Sequence, residues 1–130
     1  METTDIIELS LPFKPEYVSI ARLTSSAVAS RIGFDIETVE DIKVAVSEVC
    51  TKYIKKGSNC ANHYKLIFKV FKDCLEISFD CQDKTLKCIF SQEDDGLAIS
   101  IINALMDEVK LCSEDENYLL NMSKKLEGKV

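Results

Sequence analysis

Within the stretch VSEVCTKYIKKG, Val46 to Gly57, an acid and a base stand four residues apart: Glu48 and Lys52. That spacing is close to one helical turn, so in a helix both side chains share one face. Two kinds of chemistry fit the pair. One is a solvated ion pair, which supports a helix by roughly 0.2 to 0.5 kcal/mol. The other is a ligand site, in which a carboxylate orients a hydroxyl or water and a neighbouring residue sets the charge beside it. The two residues alone leave both readings open. No other grouping competes with them: there is no Ser-His-Asp set, no Walker-type loop and no zinc-ligand spacing. His63 has no second histidine nearby and reads as structural or exposed.

The totals bound what the pair can belong to. With 130 residues, 46% hydrophobic and 29% charged, and only 4 Gly and 2 Pro, the chain suits one globular domain spanning residues 1–130. A formal net charge of -6 argues against a nucleic-acid partner, because phosphate-backbone affinity rests on clustered Lys and Arg. No apolar run approaches the roughly 20 residues of a membrane span, and no secretory leader pattern follows Met1, so the sequence predicts a cytoplasmic protein without a membrane partner. The six cysteines, at 50, 60, 74, 81, 88 and 112, form no CxxC pair. They read as reduced thiols packed as small apolar groups, with no metal site.

The elements that must position Glu48 and Lys52 follow from periodicity. In DIIELSLPF, Asp5 to Phe13, apolar Ile7, Leu9 and Leu11 alternate with Glu8 and Ser10, as in a strand with one wet face. Pro15 suits a first helical turn, and Tyr17, Ile20 or Ala21, Thr24, Ala27 or Val28, and Ile32 fall at helical spacing before Gly33. Asp35 is placed to cap a second helix whose stripe is Ile36, Val39, Ile42, Val46, Val49 or Cys50, and Tyr53 or Ile54. HYKLIFKVF and CLEISFDC read as an antiparallel hairpin, LKCIF as a short strand or loop, DDGLAISIINALMDE as a helix, and VKLCS with YLLNMSKKL as a second hairpin. Helices gathered on one face of a largely antiparallel sheet make an α+β two-layer sandwich.

This order of elements, with the words PEYVSIARLTSSAVASRIGF, DIKVAVSEVCT, LEISFDCQD and ALMDEV, resembles the GHKL (histidine kinase-like) ATPase superfamily over nearly the whole chain. Within that superfamily it resembles the anti-sigma factor serine kinases of Gram-positive bacteria. The resemblance implies a sandwich of the GHKL (Bergerat) type with a mostly antiparallel mixed sheet. It also implies ATP and magnesium as cofactors where the site is functional, and a sigma factor and a phosphorylated antagonist as partners. A homodimer is implied as well.

Set against the family pattern, the ligand residues depart from it in four places. Glu48 matches the family's catalytic and metal-organising acid, but Lys52 stands where an Asn ligates magnesium, and an ammonium has no lone pair to offer. Asp80 matches an acid that accepts a hydrogen bond from adenine, yet Gln82 replaces the glycine after it. The lid span from Lys84 to Glu93 is short, and the phosphate turn DDGLAIS keeps only Gly96, with Asp95 and Ala98 at glycine positions and carboxylates where a triphosphate would sit. Leu119 replaces a Thr near the phosphates or base. The expectation is a degenerate nucleotide site, Glu48, Lys52, Asp80 and Gly96, with no cofactor and with Lys52 pairing to Glu48. Arg22 in SIARLT matches a partner-binding Arg, on a face shared with Ser19, Ser26 and Ser30. The alternative is an active serine protein kinase with Glu48 as its base.

Overall fold

The computed structural model describes residues 5–57, 63–81, 96–111 and 120–126. The first strand, β1 (Asp5–Pro12), leads through a single 3-10 turn at Pro15–Tyr17 into helix α1 (Val18–Ile32). Pro15 thus opens a tight turn, and the α-helix itself begins at Val18. Gly33 ends α1 with φ at +115°, its N–H donating to Ala29 O at 3.2 Å. A left-handed residue at this point needs glycine's freedom.

Helix α2 (Ile36–Gly57) begins at the cap read from sequence: the Thr38 N–H donates to Asp35 Oδ1 at 2.8 Å. The hydrogen bonds of the Thr38 hydroxyl and amide hold the Asp35 carboxyl below its ordinary pKa. Strands β2 (His63–Val70) and β3 (Cys74–Cys81) form the expected hairpin. Helix α3 (Gly96–Leu105) and strands β4 (Glu108–Leu111) and β5 (Leu120–Lys125) complete the described chain.

The sheet order is β1-β2-β3-β5-β4, and all four pairings are antiparallel. The mixed sheet implied by the resemblance is therefore antiparallel throughout its described strands. In β3, Leu75, Ile77, Phe79 and Cys81 are buried against the helices, while Glu76, Ser78 and Asp80 alternate with them on the other face. The core closes on that inner face against Val28 and Ala29 of α1, Ile42, Val46, Val49 and Tyr53 of α2, and Ile102 of α3.

Three sequence expectations shift. In α1 the buried positions are Ala21, Ser25, Val28 and Ala29, so Ile20 faces solvent, and buried Ser25 donates its hydroxyl to Ala21 O at 2.7 Å. Ile36 is 84% exposed because it opens α2 before the helix settles on the core at Val39. The last helix stops at Leu105, short of MDE. The Lys124 ammonium donates to Leu105 O at 2.8 Å, and the Asp107 N–H donates to Ser123 O at 2.9 Å, drawing the chain into β4. The LKCIF segment lies outside the described residues. No described helix is long and apolar enough to cross a membrane.

Candidate functional site

Glu48 and Lys52 lie one turn apart on α2, both half-buried. Their flanking residues spend their hydroxyls on the helix backbone, Ser47 donating to Lys43 O at 3.0 Å and Thr51 to Ser47 O at 2.8 Å. Among the described residues, the ion pair within α2 is Lys43–Glu40 at 2.9 Å, and none joins Glu48 to Lys52. The expected ion pair is therefore not among those of the described residues, although Lys52 is not without a partner.

Asp80 is placed differently from the two helical residues. Strand alternation sets it on the face that carries Glu76 and Ser78, opposite Lys65 in the β2–β3 register. Its Oδ1 accepts the Cys81 N–H at 2.8 Å. The side chain that ends β3 on the helix-covered face is Cys81, 3% exposed, whose thiol points to His63 O at 3.8 Å. His63 itself is the exposed first residue of β2.

Gly96 opens α3, and a Cβ there would meet nothing within 4 Å, so no close approach requires glycine at this point. Ala98, two residues on, packs against the core. Gln82, the span Lys84 to Glu93, Asp94, Asp95 and Leu119 lie outside the described residues, as do Cys60, Cys88 and Cys112. Arg22 is exposed on α1 with Ser19 and Ser30, and Ser26 is half-buried beside them. A groove of about 470 Å³ lies between the start of β1 and the end of α1, lined by Asp5, Ile7, Ala27 and Arg31 among others. None of Glu48, Lys52 and Asp80 reaches it.

Sequence reasoning missed the group that occupies the ends of β2 and β3 beneath α2. Tyr53 and Tyr64 are 0% and 1% exposed, their rings stacked at 5.1 Å with 10° between planes. Phe79 stacks on Tyr53 at 6.0 Å, and Phe13 tilts against Tyr64 at 5.1 Å. Cys50 and Cys81 lie in the same buried group and are free thiols. Burial pushes the Cys50 thiol up to about 12, and it pushes both phenols well above their ordinary range, with the neighbouring Cys81, Asp80 and Cys50 adding to the effect on Tyr53. Among the described residues neither phenol hydroxyl finds a satisfying hydrogen-bond partner, and the group beside that of Tyr64 is the weak-bonding Cys50 thiol. The signal was present in the alternation, since Tyr64 and Cys81 are in phase with Leu66 and Phe79.

Among the described residues, the α2 position one turn after Glu48 carries an ammonium, which has no lone pair to offer a magnesium ion.

Comparison with known proteins places this arrangement. Residues 11–124 match the model of the histidine kinase-like ATPase domain. Serine-protein kinase RsbW of Bacillus licheniformis is 37% identical over 138 residues, covering 92% of this chain and 85% of the relative. RsbW of Bacillus pumilus is 40% identical over 129 residues, with 85% and 80% covered, and RsbW of Oceanobacillus iheyensis is 35% identical over 141, with 95% and 89% covered.

Proposed function

The chain belongs to the histidine kinase-like ATPase domain family, and from that premise we propose that it is an anti-sigma-factor-like regulator whose ATP binding is weakened or lost. It acts as one cytoplasmic domain, a homodimer, by protein contact with a sigma factor or its antagonist. The observation that carries the loss of ATP binding is Lys52: a half-buried ammonium one turn from Glu48, in the place where a magnesium-binding member needs an uncharged oxygen ligand.

Contact through α1 is supported by Arg22, whose exposed guanidinium stands among small hydroxyl side chains that leave a partner's carboxylate room to approach. The relatives are named serine-protein kinases, which favours a second reading, a serine protein kinase in which Glu48 orients the acceptor hydroxyl.

Titration calorimetry with ATP and magnesium separates the two. The expected result is no micromolar binding by the wild type, and none restored by Lys52→Asn alone. Micromolar binding that Glu48→Ala abolishes would overturn the degenerate-site reading. For the partner, a purified sigma factor should bind the wild type and lose at least tenfold in affinity with Arg22→Ala. Equal affinity removes Arg22 from the contact.

A further inference from the structure

Tyr53 follows Lys52 by one residue, and a step of about 100° around the helix turns its ring from the flank of Glu48 and Lys52 into the core. There it packs on the rings of Tyr64 and Phe79, at 10° to the first and 23° to the second. This ring group lies beneath α2, beside the inner-face end of β3 marked by Cys81. Two of its features do not suit a purely structural core. Both phenol hydroxyls are buried without a hydrogen-bond partner, whereas phenylalanine at either position would fill the same space without that desolvation cost. Flat π-faces together with unsatisfied hydrogen-bonding groups are also what a planar nitrogen heterocycle requires of its site.

We propose that Tyr53 is a plug: its ring occupies the place that a planar heterocycle of the purine class would take against Tyr64 and Phe79, so the base end of the site is filled by the protein itself. This rests on the reading of a lapsed nucleotide site and names the side chain that closes it. Lys52 then accounts for the loss of metal and phosphate, and Tyr53 for the loss of the base. The Tyr64 hydroxyl remains as a donor or acceptor for whatever enters when the ring is gone.

The test is calorimetric titration of the full-length chain with adenosine, which carries the heterocycle without phosphates or metal, and with indole as an apolar planar control. Wild type and Tyr53→Phe should bind neither measurably. Tyr53→Ala should bind adenosine at least tenfold more tightly than the wild type and in preference to indole, which an indiscriminate apolar cavity would take as readily. Circular dichroism melts establish that the variant is folded; should Tyr53→Ala not fold, Tyr53→Val, which retains more of the packing, carries the same expectation. A folded small-residue variant that binds no adenosine, or that prefers indole, overturns the plug. A gain of adenosine binding by Tyr53→Phe overturns it too, since the ring is still in place. These failures leave the degenerate-site reading standing, whereas wild-type binding of magnesium ATP is what removes that reading.

Discussion

Two polar clusters on the same sheet behave in opposite ways. On the outer face, Asn121 donates to Ser78 Oγ at 2.7 Å and to Glu76 Oε1 at 3.0 Å, and Lys69 lies 3.9 Å from Glu76. At the same end, Lys124 caps the last carbonyl of α3, and Asp107 Oδ2 accepts the Lys125 N–H at 2.6 Å. On the inner face, Tyr53 and Tyr64 bury hydroxyls with no such return. The first cluster is what polar groups look like when their purpose is to fix register and a helix end. The second has the packing of a core with polar groups a core does not need, and that mismatch sets it apart from the first.

Removing one member from each cluster should expose the difference most strongly. Ser78 is 3% exposed and depends on Asn121. Asn121→Ala leaves its hydroxyl stranded and should cost about 1–3 kcal/mol in urea unfolding, and Asn121→Asp should cost no less, because its carboxylate would face that of Glu76. On the inner face a hydroxyl deletion should not destabilise at all. If Asn121→Ala proves neutral, the outer network is ornamental and the contrast between the clusters fails.

The pH dependence sharpens the comparison on the inner side. Cys50 is pushed up to about 12 by burial, while in the unfolded chain a thiol titrates near 8.5. Below the unfolded value both states hold the proton and the stability is fully present; above it the unfolded state loses its proton first. Stability should therefore decline as pH rises from about 8.5 towards 12, approaching 1.4 kcal/mol per pH unit from this one group. Other groups titrate in the same range, so the measurement is the difference in alkaline slope between wild type and Cys50→Ala. Equal slopes would mean that Cys50 is solvated, and the inner cluster would not be the closed core described.

The outer cluster lies on a framework that was legible in the sequence, because period-two alternation and the cap at Asp35 are local. The hairpin of β2 and β3, the capped α2 and the antiparallel sheet with helices on one face all follow from such signals. Less legible were features decided by contacts far along the chain. The end of α3 is set by Lys124 and Ser123, 19 and 16 positions beyond the groups they bind, and no helical pattern in MDE reports them. The choice between Ile20 and Ala21 depends on how closely α1 approaches its neighbours, which periodicity leaves ambiguous by one position. The site suffered most from this. A match of residue type drew attention to Asp80, whereas the phase of β3 puts Cys81 on the inner face. A shift of one residue reverses the face, so strand phase separates the burial of the two neighbours. The stacking of Tyr53 on Tyr64 joins a helix to a strand and could not be read from either alone.

The smallest expected effect is the most direct check on the inner cluster. Tyr64→Phe removes a hydroxyl that is buried without a partner and leaves the ring stack with Tyr53 and Phe13 in place. Where a buried polar group pairs with nothing, its deletion returns part of the desolvation cost, so the variant should be more stable than the wild type by up to about 1 kcal/mol. The same change in a satisfied network would destabilise. The sign is therefore the informative quantity, and matched urea melts at neutral pH resolve it. A loss of stability on deleting the Tyr64 hydroxyl would mean that it has a structural partner in solution, the inner cluster would then be of the same kind as the outer one, and the orphaned hydroxyls would no longer mark a remnant site.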